Sequence, residues 1–130
     1  MPLLALHAVA KSYGALKVTD DISLTVGAGE TLGILGPNGA GKTTLFNLIS
    51  GDVRCDAGSV QYDGRDITAL KPHQRCRAGI GRSYQVPQPF GNMTVFENLV
   101  AAACFGGGQV EEEAWESAHD VLQQLSLIHI

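Results

Sequence analysis

Residues 36–43 read Gly36-Pro37-Asn38-Gly39-Ala40-Gly41-Lys42-Thr43 and satisfy G-x-x-x-x-G-K-[S/T] at every fixed position. Small residues in such a run let the backbone wrap closely around phosphate oxygens, with successive N–H groups turned inward as a nest. Lys42 then supplies a mobile point charge for the β- and γ-phosphates. Thr43 offers a hydroxyl ligand for Mg²⁺. The helix that the motif opens aims its partly positive N-terminus at the same anion.

The surroundings suit the motif. Residues 31–35, Thr31-Leu32-Gly33-Ile34-Leu35, are mostly apolar, as in a strand buried on both faces. Apolar residues then recur at helical spacing over 44–50, and Gly51 supplies a helix stop. Residues 3–9 read as a strand, Lys11-Ser12-Tyr13-Gly14 as a turn or loop, and 20–26 as a half-exposed strand with Ile22, Leu24 and Val26 on one side. A small antiparallel β-meander is thereby expected to deliver the phosphate loop.

Further along, 58–64 reads as a strand ending in an Asp63-Gly64 turn, 72–78 as a short helix and 79–84 as another strand. Thr94 with Glu97 three residues on predicts a capping box opening a helix to about Cys104. The last helix is expected over 110–125, with an apolar stripe of Ala114, Trp115, Ala118, Val121, Leu122 and Leu125, Trp115 read as a packing residue. Glu111, Glu112 and Glu113 lie in its first turn, where the helix dipole favours acids. Arg65, Lys71, His73, Arg75, Arg77 and Arg82 read as a solvated basic face, and His7 and His119 as structural residues.

Composition narrows the class. A chain of 130 residues is long enough for one domain with a core. Its net charge of −4 opposes sequence-independent nucleic-acid binding, so no nucleic-acid partner is expected. No apolar run reaches the roughly 18–20 residues of a membrane span, and no basic start with a long apolar core marks a secretory signal. Cys55, Cys76 and Cys104 are odd in number and widely spaced, which suits a reducing cytosol better than a disulfide framework.

Taken together, Lys11-Ser12-Tyr13-Gly14, the phosphate loop running into Thr44-Leu45, and Gly79-Ile80-Gly81-Arg82-Ser83-Tyr84-Gln85 resemble the N-terminal part of an ABC-transporter ATPase subunit. Phe90, Met93-Thr94-Val95 and Glu97-Asn98-Leu99 are most similar to subunits of branched-chain amino-acid importers. The resemblance covers about residues 3–125. It implies an α/β fold, a P-loop NTPase of the ABC ATPase type with an N-terminal antiparallel β-meander and an incomplete core sheet with helices. It also implies ATP and Mg²⁺ as cofactors. Tyr13 would stack on adenine, which an aromatic face can do without reading the base edge. Gly36, Asn38, Gly39, Ala40 and Gly41 would line the phosphates with Lys42 and Thr43, a Walker A loop. Thr44 would touch the α-phosphate. Gln85, the Q-loop glutamine, would approach Mg²⁺ and the attacking water, so that Lys42 and Gln85 carry the catalytic roles and Thr43 and Gln85 the metal contacts. Residues 86–97 would receive a coupling helix of transmembrane permease subunits. A second ATP-binding subunit would complete a dimer on the cytoplasmic side of the membrane.

The pattern stops short. The sequence has no L-S-G-G-Q-like signature, no apolar run ending in Asp-Glu and no matching switch His, and residues 126–130 depart from the family pattern. The expectation is therefore a partial nucleotide-binding domain over 1–130, with 126–130 as a non-native tail, that binds Mg-ATP weakly without family-like hydrolysis. Two other readings stay open: a non-catalytic nucleotide-binding fragment, and another P-loop enzyme such as a small kinase.

Overall fold

A computed structural model describes residues 1–37 and 41–125. The chain divides into two compact units, residues 1–75 and 76–130.

The first unit is built on a four-stranded antiparallel sheet. Strands β1 (Leu4–Tyr13) and β2 (Leu16–Val26) form a hairpin, with Tyr13 paired to Leu16 across a turn in which Gly14 has φ 62°. Lys11 to Tyr13 therefore belong to β1, not to a loop, because Gly14 alone supplies the left-handed residue that the turn requires. Strand β3 (Ala57–Tyr62) pairs with the other edge of β1, and β4 (Arg65–Asp66) with β3, giving the order β2-β1-β3-β4. Asp63 (φ 51°) and Gly64 (φ 78°) make the β3–β4 turn, as the Asp-Gly pair predicts. Along β2, Ile22, Leu24 and Val26 are half-buried and Asp21, Ser23 and Thr25 exposed, matching the alternation read from the sequence.

Three register shifts interrupt the β1–β2 pair, the last between Lys11–Thr19 and Ser12–Lys17. Ala8 (φ 49°) is the extra residue between the Leu6–Leu24 and Val9–Ile22 pairs, and its N–H donates to Ser23 Oγ at 2.8 Å. Asp21 (φ 50°) marks the second. The buried core of this unit comprises Ala5, Leu6, Val9, Leu45, Leu48, Val60 and Ile67. Helix α1 (Lys42–Ser50) contributes Leu45 and Leu48 to it and ends at Gly51, which adopts φ 90° and donates its N–H to Asn47 O at 3.0 Å.

Two expected core strands are not formed. Residues 31–35 and 79–84 belong to no strand among the described residues, and Leu35 is 97% exposed. A strand exists only through ladder bonds to neighbours, and no described segment pairs with either run. The third strand beside the opening hairpin is β3 rather than 31–35, so the hairpin is joined to the phosphate loop by a segment outside any strand.

Helix α2 (Pro72–Ala78) follows β4, with the bounds that Pro in the first turn predicts. In the second unit, α3 (Val95–Ala101) continues into a π-helical turn over Ala102–Gly106, and α4 (Glu111–Gln124) packs against α3. Only Ala114, Ala118 and Leu122 of the predicted α4 stripe are buried; Trp115, Val121 and Leu125 are exposed. The small side chains at 114 and 118 let the helices approach closely and leave the bulky ones at the margin. All three cysteines are free thiols. The tail read at 126–130 lies outside the described residues.

Candidate functional site

Helix α1 begins differently from α3 and α4. Its N-cap is Gly41, in a left-handed conformation (φ 89°), with no side-chain cap and no acid in the first turn. Helix α3, by contrast, is closed by a complete capping box: Thr94 Oγ1 accepts from Glu97 N–H at 3.1 Å while the Glu97 carboxylate accepts from Thr94. Helix α4 fills its first turn with Glu111, Glu112 and Glu113. The start of α1 thus keeps N–H groups and positive dipole without a resident acid, as an anion site requires.

Gly41 is fixed by a close approach. A Cβ there would lie 2.8 Å from the carbonyl oxygen of Val18 on β2, so only glycine fits both the space and the positive φ. This contact seats the end of the phosphate loop against the hairpin. Val18 lies two positions beyond Leu16, the partner of Tyr13. Tyr13 is half-exposed at that same end of the sheet, with Lys11 Nζ 5.3 Å from its ring centroid. The ring therefore has surface left for a planar ligand.

Lys42 is half-buried and its Nζ donates to the carbonyl oxygen of Gly36, folding back over the loop. Thr43 is exposed and Thr44 half-buried. Asn38, Gly39 and Ala40 lie outside the described residues. The residue types that are described fit a nucleotide phosphate with Mg²⁺: a cation, a free hydroxyl and an uncapped helix start. Among the described residues no cluster of His, Cys, Asp and Glu could hold a metal ion by itself, so a cation here would need ligands from the phosphate and Thr43.

The sequence reading missed Arg75. It was expected on a solvated face, yet it is buried. Its Nη1 donates to Leu48 O at 2.7 Å and Ile49 O at 3.0 Å, Nη2 to Thr68 O at 3.0 Å, and Nε to Leu70 O at 3.1 Å. A fork of donors closes the C-terminal end of α1, opposite the phosphate end, where a cation also suits the dipole. Burial lowers its pKa from the ordinary value, partly offset by Cys55 and Asp66. Gly51 makes room for it, since a Cβ there would fall 2.9 Å from Arg75 Nε. Spacing gave no sign of this. Arg65, Lys71, His73 and Arg77 are exposed as expected.

Gln85 belongs to the second unit and is exposed. Just after it, Asn98 clasps the loop: Phe90 N–H donates to Asn98 Oδ1 at 2.8 Å, and Asn98 Nδ2 donates to Phe90 O at 3.2 Å and Thr94 O at 2.8 Å. Phe90 (63% exposed), held by Asn98, and Val86 (68%) are displayed to solvent. Arg82 lies over the Tyr84 ring, 4.5 Å from its centroid.

A family model described as ABC transporter matches residues 19–130. The chain belongs to the ABC transporter family. It is 41% identical over its whole length to the lipopolysaccharide export system ATP-binding protein LptB of Haemophilus influenzae, covering 54% of that protein. It is 38% identical to the probable branched-chain amino acid transport ATP-binding protein LivG of Archaeoglobus fulgidus, with 100% of this chain and 55% of that protein covered. Its backbone resembles that of MJ1267, an ATP-binding cassette of an ABC transporter, with a TM-score of 0.83 at 35% identity over 99% of this chain and 56% of that one. The fold is thus that of an ABC ATPase cassette in part, and the chain spans about half the length of the curated relatives it matches. No helix among the described residues is long and apolar enough to cross a membrane.

Proposed function

We propose that this chain is the nucleotide-binding part of the ATP-hydrolysing subunit that powers an ABC transporter. The observation that carries the reading is the phosphate-loop motif running into a helix whose start is uncapped and free of acids, beside Lys42 and Thr43. On ATP binding, Lys42 would exchange the Gly36 carbonyl for the β- and γ-phosphates. Backbone N–H groups of 36–41 would line the phosphates, and Thr44 would reach the α-phosphate. Tyr13 would carry the adenine, and Thr43 and Gln85 would hold Mg²⁺, with Gln85 orienting the attacking water. Mg²⁺, when bound, neutralises charge on the β- and γ-phosphates.

The family works with transmembrane subunits and as dimers. We infer a second ATP-binding subunit, permease subunits contacting residues 86–97, and a peripheral position on the cytoplasmic face of the membrane. Two solutes remain in play. The LivG relative supports import of branched-chain amino acids, as do Phe90 and the 93–99 run. The LptB relative supports lipopolysaccharide export.

A fluorescent ATP analogue tests the core of the reading. It should bind this chain only with Mg²⁺, be displaced by ATP, and fail to bind Lys42→Ala. Phosphate release should show no multiple turnovers, because no Asp-Glu pair ends an apolar run. Sustained turnover abolished by Lys42→Ala would overturn that part.

A further inference from the structure

Strand β1 runs on past its pairing with β3. The last β1–β3 pair is Ala10 with Ala57, while β1 continues to Tyr13. On the other side β2 keeps pace, pairing Ser12 with Lys17 and Tyr13 with Leu16. One edge of residues 11–13 is therefore left without a ladder partner from β3.

Asp56 fills that edge. Its backbone N–H donates to Ala10 O at 2.8 Å, and its Oδ2 accepts from Ser12 N–H at 2.8 Å. Its Oδ1 accepts from Lys11 Nζ at 3.3 Å. A carboxylate that holds a backbone N–H and an ammonium together is a firmer tie than an exposed ion pair. The Lys11 side chain is only 17% exposed, so its stem is packed rather than free in solvent. Lys11 and Tyr13 are two residues apart on one strand, and the ammonium sits over the Tyr13 ring, 5.3 Å from its centroid. Val18, the residue after Lys17, is the one whose carbonyl oxygen closes on Gly41. The tie thus orders the ring at the end of the sheet that meets the phosphate loop.

We propose that Asp56 is a positioning residue for the nucleotide base. By fixing the end of β1 and the Lys11 ammonium, it presents one face of Tyr13 already ordered for stacking, which lowers the cost of ordering on binding. The inference rests on the reading of Tyr13 as the adenine platform, and it adds the pair that sets the platform. Asp56 acts through Ser12, Lys11 and Tyr13 and does not itself touch the nucleotide.

The probes are Mg-ATP and Mg-tripolyphosphate, which offers phosphates without a base. Calorimetric titration of each against this chain gives an affinity ratio in which a change of protein charge largely cancels. Tyr13→Ala should lower Mg-ATP affinity roughly tenfold and leave tripolyphosphate within about twofold. Asp56→Ala should lower the ratio roughly fivefold when Tyr13 is present and leave it within about twofold in Tyr13→Ala. Asp56→Asn, whose amide oxygen can accept from Ser12 but cannot pair with an ammonium, should fall between. If Asp56→Ala does not fold, Asp56→Asn and Lys11→Met carry the same comparison. An equal fall for both ligands, or the same fall with and without Tyr13, would overturn the proposal, because Asp56 would then act on the fold alone. An ATP affinity that Tyr13→Ala leaves unchanged contradicts the adenine reading itself and the proposal with it. That outcome is separate from a Tyr13 effect that Asp56→Ala fails to share, which overturns the proposal alone.

Discussion

Arg75 Nη1 donates to the carbonyl oxygen of Leu48 at 2.7 Å, tying α2 to the last turn of the helix that follows the phosphate loop. The same guanidinium satisfies three more carbonyls, of Ile49, Thr68 and Leu70. Removing it strands buried acceptors and opens a cavity. Arg75→Leu should therefore cost about 3 kcal/mol in denaturant unfolding. Arg75→Lys keeps the charge but loses the fork, and should fall between the two.

Gly58 is held by the bulge opposite it. It adopts φ 87°, and a Cβ would lie 2.4 Å from Ala8 O and 2.5 Å from His7 O. Gly58→Ala must push β3 away from β1 or flatten the bulge, and should destabilise the first unit by more than about 2 kcal/mol. Loss of hydrogen-exchange protection at Val60 and Leu6 would locate the damage.

Gly41→Ala is expected to act on the site first. The φ of 89° and the 2.8 Å approach to Val18 O both exclude a side chain. The helix start should shift and Mg-ATP affinity fall by roughly tenfold or more, equivalent to strain of about 1–3 kcal/mol. Calorimetric titration with Mg-ATP checks this.

Acid should loosen the first unit through two carboxylates. Asp56 is held below its ordinary 3.8 by the Ser12 backbone N–H first and then by Lys11. Asp66 is held low by the Thr68 hydroxyl and then the Thr68 N–H. With the lower pKa in the folded state, the unfolded chain binds more protons. The stabilisation is therefore complete above 3.8 and disappears as pH falls through the folded values. Melts from neutral pH downward should be flat until this window, and Asp56→Asn with Asp66→Asn should remove much of the decline.

Locally encoded features were legible in the sequence. Thr94 and Glu97 form the capping box that their spacing predicts, and Asp63-Gly64 forms its turn. Those outcomes depend on side chains a few residues apart. The runs at 31–35 and 79–84 look like strands, but order there depends on neighbours elsewhere in the chain. Arg75 was misread, and the α4 stripe is only half buried, for a related reason; Trp115 packs on Phe96 as expected but stays 54% exposed. Spacing along a helix shows which residues share a face, but not whether Arg75 meets four carbonyls or whether Ala114 and Ala118 suffice to bury α4. The phosphate-loop motif is contiguous in sequence, so its reading needs no distant partner; its central residues lie outside those described, and its role in binding is the proposal that the measurement below tests.

The most direct test of the central claim is a thermal melt of this chain with and without Mg-ATP, beside Lys42→Ala. A ligand at a hundred times its dissociation constant stabilises by about 2.7 kcal/mol, equivalent to several degrees for a domain of this size. The account predicts a cooperative transition that Mg-ATP raises in the unmodified chain and leaves unmoved in Lys42→Ala. A transition unmoved by Mg-ATP, or raised equally in both proteins, would contradict it.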